Sequence, residues 1–433
     1  MQTNPLNMTP DRKALRLGLA LLCTGLALSM QHRSAQAAPP AVGVACTTGT
    51  GPNPTFTLNA QDGYIQLPDG NTMYMWGYAQ AGGNFQHPGP VLCVNEGDTV
   101  TLILNNSLPE DVSIVFPGQE GVLANGVPAQ PQFTAGGQLK SLTDVAAAGA
   151  GSVSYSFVAS HPGSFIYESG TNPQKQVRMG LFGALFVRPA LGANFVYNRA
   201  DSQFTPEENF MVLLSEIDPY QHQAAEAGQP FDLNNYHARY WLINGRGFPD
   251  SIADNFGPFL TEQPYGALAR IRPYDAVAHP YPGAIHYLNV GTEEFPFHPH
   301  GNNGLVIGRD GSPLAGPAGQ DLSFEKFAVN IGPGQTWDVT FKWFDAENYS
   351  AANPVPVTIP QVNNQTYGMF YSGSPYLGQT GPLPPGASTL NTCGEYYVIS
   401  HNHALYQLTS WGMTMSGPIT YVRVDPPLPN NCQ

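Results

Sequence analysis

Charged side chains are scarce in this sequence, and basic ones are the scarcest. Only 11% of the 433 residues are charged, and 17 lysines and arginines stand against 31 acidic residues, giving a formal net charge of −14. A surface with so few basic groups repels phosphate backbones, so we expect no nucleic acid partner. The low charge also excludes a coiled coil or helical bundle, whose composition is roughly half Ala, Glu, Lys, Leu and Arg.

The abundant residues indicate an all-β protein. The chain has 47 glycines and 41 prolines, together about a fifth of its length against a usual share near 12%. Disorder is excluded because 42% of the residues are hydrophobic and 11% are aromatic, enough to bury a core. Short β-like runs separated by turn residues are typical of sandwiches and barrels, so we expect no helix longer than three turns.

The N-terminus has the three-part pattern of a secretory signal peptide. Three basic residues between positions 12 and 16 precede an apolar run over 17–30, and a small-residue cleavage site follows at 35–37. A membrane anchor is the alternative, but this run is short of the roughly 20 residues that span a bilayer, and no later run is longer. We therefore predict removal of 1–37, a periplasmic or secreted protein, and no transmembrane segment after cleavage.

Four cysteines remain after signal cleavage: Cys46, Cys93, Cys393 and Cys432. An even number of cysteines in an oxidising compartment predicts disulfides. Three pairings are open, and Cys46–Cys93 together with Cys393–Cys432 is the most local of them.

The strand-like runs fall into two series, which predicts two domains. The first domain is expected over 45–190 and the second over 210–428, with a polar linker at 191–209. A nearly uncharged segment at 345–392, rich in Pro, Gly, Asn and Tyr, is predicted to be a long loop. A loop of that length in a compact domain is usually functional or disordered.

Two tight histidine pairs are the strongest functional signal. They are His298-Pro299-His300 and His401-Asn402-His403, each at the end of an apolar run. Residues i and i+2 of a strand share a face, so each pair presents two imidazoles side by side. A polar strand edge would explain one such pair, but two pairs in one predicted domain favour a metal site. Neutral imidazole suits copper, zinc, iron and nickel.

Several motifs occur in an order that is typical of one family. In chain order they lie at 88–100 with 105–108, 180–187, 242–246 with 249–250, Phe297-His298-Pro299-His300-Gly301, and the His401/His403 pair. Together they resemble the multicopper oxidases, over most of residues 60–425. The resemblance implies two cupredoxin-like Greek-key β-sandwich domains, with copper as the cofactor and His298, His300, His401 and His403 as its ligands.

The sequence departs from the family pattern at both kinds of copper centre. The four histidines that the family carries in its first domain are replaced here by Val115, Pro117, Glu168 and Gly170. The type 1 copper ligands are also missing: Asn402 stands for the cysteine, and Gln407 and Phe295 stand for the two histidines, although Met413 follows Gly412. The resemblance therefore implies neither a blue-copper relay nor a standard trinuclear cluster within one chain.

Glu168 is the one replacement that could itself bind a metal. The resemblance places it facing the histidine pairs, where it would be a carboxylate ligand. A solvent-facing or salt-bridged acid is the alternative.

Three functional hypotheses follow. The first is an exported, copper-dependent oxidoreductase without a type 1 site, which takes electrons directly from a small reductant or a metal ion. The second is a non-catalytic copper-binding or scaffold protein, with the 345–392 loop as a contact arm. The third is a homo-oligomer that joins second domains to complete the site.

Overall fold

The computed structural model describes residues 41–344, 396–412 and 415–430. The predicted signal peptide, the 345–392 loop, and Cys393, Met413 and Cys432 lie outside these ranges. Within them the chain is built from short strands joined by turns, with few helices, which confirms the all-β prediction. Across the same ranges, no helix is long and apolar enough to cross a membrane.

The strands before residue 190 form a β-sandwich. In chain order they are β1 (Thr47–Thr48), β2 (Thr55–Gln66), β3 (Thr72–Gln80), β4 (Leu92–Asn95), β5 (Thr99–Asn106), β6 (Leu123–Ala124), β7 (Val127–Pro128), β8 (Gln132–Phe133), β9 (Leu139–Ser141), β10 (Ser152–Val158), β11 (Gly163–Glu168) and β12 (Phe182–Arg188). One sheet has the order β1-β4-β12-β11 and the other β3-β2-β5-β10-β6-β7, and β8 pairs with β9. Leu102 of β5 and Leu185 of β12 belong to one shared core, so the two sheets face each other.

The later strands form a second sandwich. They are β13 (Asn209–Ile217), β14 (Tyr240–Ile243), β15 (Ala269–Ile271), β16 (Gly283–Asn289), β17 (Phe295–Pro299), β18 (Gly304–Arg309), β19 (Ser312–Pro313), β20 (Phe324–Lys326), β21 (Val329–Ile331), β22 (Thr336–Phe341), β23 (Tyr396–Asn402) and β24 (Ile419–Val424). One sheet has the order β14-β13-β16-β22-β18-β19 with β20 beside β18, and the other β15-β24-β23-β17-β21. Tyr287 of β16 and Phe297 of β17 pack within a common core.

Period-two alternation explains why these segments are strands. In β5, every second residue from Val100 to Asn106 is buried, while the residues between them remain partly accessible. β10 alternates in the same way, so both strands present one face to the core. Strands in contact with both sandwiches, such as β16, are buried along their whole length.

The two sandwiches pack closely against each other. Phe182 and Phe186 of the first share a buried apolar cluster with Met211 and Leu288 of the second. The predicted linker at 191–209 is packed rather than free: Val196, Tyr197 and Phe204 are buried, and three of its residues form a short 3₁₀ turn, Ala200–Ser202.

The helices are short and lie in the connections. They are α1 (Pro173–Met179), α2 (Pro219–Glu226) and α3 (Leu405–Leu408), with further 3₁₀ turns at Leu233–Asn235 and Asp250–Ile252. The start of α2 follows from local chemistry. The side chain of Asp218 accepts a hydrogen bond from the Tyr220 amide, and Pro219 occupies the first turn, where its missing N–H costs nothing.

A disulfide joins Cys46 to Cys93, with their Cα atoms 5.5 Å apart. It links the residue before β1 to β4, and β4 is the strand next to β1 in the sheet. This is the first bond of the most local pairing expected from the sequence, whereas Cys393 and Cys432 lie outside the described residues.

Candidate metal centre

The two histidine pairs meet on neighbouring strands. β17 and β23 pair antiparallel, with His298 directly opposite His401. Directly opposed residues of an antiparallel pair share a face, as do residues two apart along one strand. The register therefore places His298, His300, His401 and His403 on one face of the sheet.

The four imidazoles form a compact cluster at that face. The ring centroids lie 4.6 Å apart for His298 and His300, 5.1 Å for His300 and His401, and 5.5 Å for both His298–His403 and His401–His403. The Nε2 atoms of His300 and His401 are 3.0 Å apart. The sequence-predicted histidines are thus brought together as a group.

Backbone carbonyls orient two of the rings. Nδ1 of His298 lies 2.7 Å from the carbonyl oxygen of Phe327, and Nδ1 of His401 lies 2.7 Å from that of Asn402. A carbonyl only accepts, so each Nδ1 carries the proton and each Nε2 of the neutral ring carries a lone pair. Nε2 of His300 then donates to Nε2 of His401. This second-nitrogen anchoring is the arrangement that fixes metal-binding histidines in proteins.

Burial keeps the His300 and His401 rings in their neutral form. Desolvation, together with the neighbouring imidazoles, lowers the pKa of His401 to about 4, although its bond to the Asn402 carbonyl opposes the shift. Desolvation followed by the charges of His298 and His403 also lowers the pKa of His300. Both rings are therefore neutral near pH 7, which is the form that binds metals.

The donor set fits a copper ion, although the cluster is not arranged as a formed site. In the described ranges, no three His, Cys, Asp or Glu side chains stand in the arrangement of a metal centre. Metal–nitrogen distances of about 2.0–2.1 Å place two ligating nitrogens about 3.3 Å apart at tetrahedral angles. The 3.0 Å separation of the His300 and His401 Nε2 atoms is within a few tenths of an ångström of that value, a change that small ring rotations supply.

The cluster borders an open cavity of about 440 Å³. Its lining consists of His298, Pro299, His300, Gly301, Asn302, Asn303 and Phe327. The exposed Phe327 ring lies edge-on to His298, with the centroids 5.6 Å apart. A small molecule or ion in this cavity therefore contacts His298 and His300.

In the first sandwich, the place of the family's missing histidines is closed. Val115 and Glu168 pair through their backbones, so the two altered segments meet as the resemblance implies. A Cβ atom at Gly170 would lie 2.7 Å from a Val115 methyl carbon, which leaves no room for a larger side chain without displacement. Packing has therefore replaced ligands at this place.

Glu168 is half-buried at the end of β11. Burial alone raises the pKa of its carboxyl group to about 7. Within the described ranges, its side chain forms no hydrogen bond or ion pair, and no ring or electrostatic contact joins it to the four histidines. Among the described residues Glu168 thus has no salt bridge, and its role as a metal ligand stays a prediction.

Amide side chains stand at two positions that the resemblance assigns to type 1 copper ligands. Asn402 is in the same strand as His401 but faces the opposite side, where its amide donates to the Gln407 side chain. Gln407 in turn donates to Glu293 at 2.7 Å. Asn402, Gln407 and Phe295 are all fully buried. A hydrogen-bonded amide pair and an aromatic ring are therefore buried at the three positions where the resemblance places type 1 copper ligands.

A buried polar network between the sandwiches was missed by sequence reasoning. Ser164 of β11 lies within 2.9 Å of His286 Nδ1, and that nitrogen lies 2.6 Å from Asp338. Tyr197 donates to the same carboxylate, and Asn209 lies 2.7 Å from His286 Nε2. These residues are far apart in sequence. The one signal in the sequence is that polar residues stand at strand positions where alternation predicts burial. One His nitrogen serves both Ser164 and Asp338, which makes this a structural network rather than a catalytic triad.

Comparison with known proteins supports the family resemblance. Residues 59–191 match the family model described as multicopper oxidase. The L-ascorbate oxidases of Cucurbita maxima and Cucurbita pepo var. melopepo are 30% and 29% identical to this chain over 180 residues. That match covers 40% of this chain but only 28% and 29% of the two relatives.

Solved structures show the same fold over a larger share of the chain. The multicopper oxidase mgLAC has a TM-score of 0.57 at 19% identity and covers 86% of both chains. A blue copper oxidase from Nitrosomonas europaea has a TM-score of 0.54 at 18% identity, covering 86% of this chain and 85% of its own. Residues 59–191 thus resemble a multicopper oxidase domain, and most of the chain shares the cupredoxin fold of the two solved oxidases.

Proposed function

We propose that this protein is an exported, copper-dependent oxidoreductase that works without a type 1 site. The observation that carries the proposal is the approach of His300 and His401 to 3.0 Å between Nε2 atoms, within a cluster of four imidazoles. Export, to the periplasm or the exterior, is proposed from the signal-peptide pattern over 1–37.

In this proposal the imidazoles of His298, His300, His401 and His403 hold the copper. When bound, copper supplies one-electron transfer between a reductant and an acceptor. The Phe327 and Asn402 carbonyls keep His298 and His401 in the tautomer whose Nε2 points a lone pair outward. Glu168 is a further candidate ligand, and unchanged copper content in Glu168→Gln would remove it from the site.

The reductant would have to reach the histidine cluster directly. The amide pair of Asn402 and Gln407 cannot relay electrons as a thiolate-bound copper does, so no intermediate carrier stands between the surface and the cluster. The cavity beside His298 is open, and the net charge of −14 favours the approach of cations. We therefore propose small reductants or metal ions, such as cuprous or ferrous ions, as substrates.

Oxygen consumption by the copper-loaded protein tests this function. We expect consumption with cuprous ions, ferrous ions or a phenol, and its loss in the double variant His298→Ala/His401→Ala. His161→Ala is the matched control, because His161 is exposed and lies outside the cluster. Bound copper without oxygen consumption on any of the three substrates would contradict an oxidase.

A non-catalytic copper-binding or scaffold protein is the second candidate. The closed packing at Gly170 and the buried amide pair favour it, since the chain has filled both places where the family holds further copper. A homo-oligomer that joins second sandwiches is also proposed as a way to complete the site. Light scattering before and after copper loading tests it, because the oligomer would have to form or strengthen with copper.

A further inference from the structure

A second cavity, separate from the histidine cluster, lies between the two sandwiches. Its volume is about 440 Å³, which is in the range of small-molecule sites. The first sandwich contributes Phe186 and Arg188 of β12, and the second contributes Asn209 and His286. The segment at 193–196 and Phe204 complete much of its apolar lining. No part of this lining belongs to the proposed copper site.

Arg188 is the feature that gives this cavity a chemical preference. Its guanidinium is partly buried, and that burial lowers its pKa. Among the described residues its side chain makes one hydrogen bond, from Nη2 to Cys46 Sγ at 3.1 Å. Sulfur is a weak acceptor, and a guanidinium has five N–H donors. Several donors therefore have no protein acceptor within the described ranges.

Four other arginines of the chain have the oxygen acceptors that Arg188 lacks among the described residues. Arg270 and Arg423 both pair with Asp425, and Arg272 pairs with Glu208. The fully buried Arg246 donates to several backbone carbonyls. Arginine is seldom buried without such partners, because removing a cation from water is costly. A cavity-lining arginine without a carboxylate is therefore complementary to an anion.

The rest of the lining selects an anion with an apolar body. Phe186, Phe195, Val196 and Phe204 offer ring and methyl surface, and Phe186 already stacks near His286 with centroids 4.9 Å apart. Inorganic phosphate would accept hydrogen bonds from the guanidinium, but it would leave the apolar lining of the cavity in contact with water. Glu207 also lines the cavity, but it is exposed and forms no ion pair with Arg188, so solvent screens its charge.

We propose that this cavity binds an organic carboxylate with an aromatic body, its carboxylate paired with the Arg188 guanidinium. The pairing matches the fork geometry by which guanidinium binds carboxylates through two parallel hydrogen bonds. The bound molecule contacts both sandwiches and stabilises their packing.

The test uses 2-naphthoate as the probe, with neutral 2-naphthamide and inorganic phosphate for comparison. Calorimetry and thermal unfolding are measured on the wild type and on Arg188→Gln. Arg309→Gln is the matched control, since Arg309 is exposed and lies outside the cavity. We expect saturable naphthoate binding that raises the melting temperature and weakens at least about tenfold in Arg188→Gln but not in Arg309→Gln. Naphthamide should bind more weakly and equally to wild type and Arg188→Gln, and phosphate should bind more weakly than naphthoate.

A second variant tests the proposal in the event that Arg188→Gln does not fold. Ala193 lines the cavity and is exposed, so Ala193→Trp fills the space without disturbing a buried side chain. It should abolish binding of both naphthyl probes while leaving copper binding at the histidine cluster unchanged. Absence of saturable naphthoate binding to the wild type would overturn the proposal, as would equal affinity in a folded Arg188→Gln or Ala193→Trp.

Discussion

His300 and His401 come from sequence positions about a hundred residues apart, yet their Nε2 atoms lie 3.0 Å apart across β17 and β23. Strand register alone brings about this approach. Because His401 is anchored through Nδ1 to the Asn402 carbonyl, its Nε2 is directed at the partner ring. These two rings are thus held close together, although within the described ranges the histidines do not yet form a metal centre.

Asn402 gives the first prediction, because its amide occupies the family's thiolate position. Asn402→Ala should leave the Gln407 carbonyl without its partner in the core and lower the free energy of unfolding by about 1–3 kcal/mol. Urea denaturation measures the loss, and Asn53→Ala, an exposed position, should change little.

The same residue predicts a spectroscopic outcome. Copper-loaded wild type should show no intense blue absorption, since no thiolate is present to bind the metal at this position. Asn402→Ala should retain bound copper, because residue 402 faces away from the histidine cluster. Intense blue colour in the wild type would show that the type 1 position had been misassigned.

His222 predicts a loss of stability in mild acid. It is fully buried on α2, and desolvation lowers its pKa to about 4, against about 6.5 in an unfolded chain. Between these values the unfolded state binds the proton and the folded state does not, so the free energy of unfolding falls as the pH drops through this window. The contribution is about 1.4 kcal/mol for each pH unit.

Replacing the His222 imidazole with an amide isolates its contribution to the pH dependence of stability. In His222→Gln an amide can still donate to the Tyr74 carbonyl, which lies 2.7 Å from the native Nδ1. Urea midpoints between pH 7 and pH 4 should fall less steeply than in the wild type, while the exposed control His161→Gln keeps the wild-type slope. If the urea midpoints of wild type and His222→Gln fell equally with pH, His222 would not be the source of the acid sensitivity.

Asp338 predicts a large structural contribution at the junction of the sandwiches. It is fully buried, and the hydrogen bond and charge of His286, with bonds from Ser164 and Tyr197, lower its pKa despite desolvation. Asp338→Asn should cost about 3 kcal/mol of unfolding free energy, since it removes the charge that these partners surround. The exposed control Glu120→Gln should stay within about 0.5 kcal/mol of wild type. Equal stability of Asp338→Asn and the control would contradict this role.

The sequence predicted those features that depend on local periodicity. Alternation identified strands such as β5, and the two-residue spacing of each histidine pair predicted its shared face. The family resemblance then supplied what periodicity cannot, namely that β17 and β23 are neighbours. The cysteine count left three pairings open, and only the fold selects Cys46–Cys93.

Features that depend on distant packing could not be predicted. Gly63 lies inside β2, and the Phe85 ring occupies the space where a Cβ would lie. The network of Ser164, His286 and Asp338 requires three strands from two sandwiches. The cavity at Arg188 likewise exists only once the sandwiches pack together. The short helix α2 is different, since the Asp218-Pro219 start signal was present in the sequence.

Copper content of the purified protein decides whether the two histidine pairs hold a metal. Wild type, His298→Ala/His401→Ala and the control His161→Ala are loaded with copper, dialysed and measured by metal analysis and electron paramagnetic resonance. We predict retained copper with nitrogen ligation in the wild type and the control, and its loss in the double variant. Retention below about a tenth of a copper ion per chain in the wild type, or equal retention in the double variant, would contradict the account.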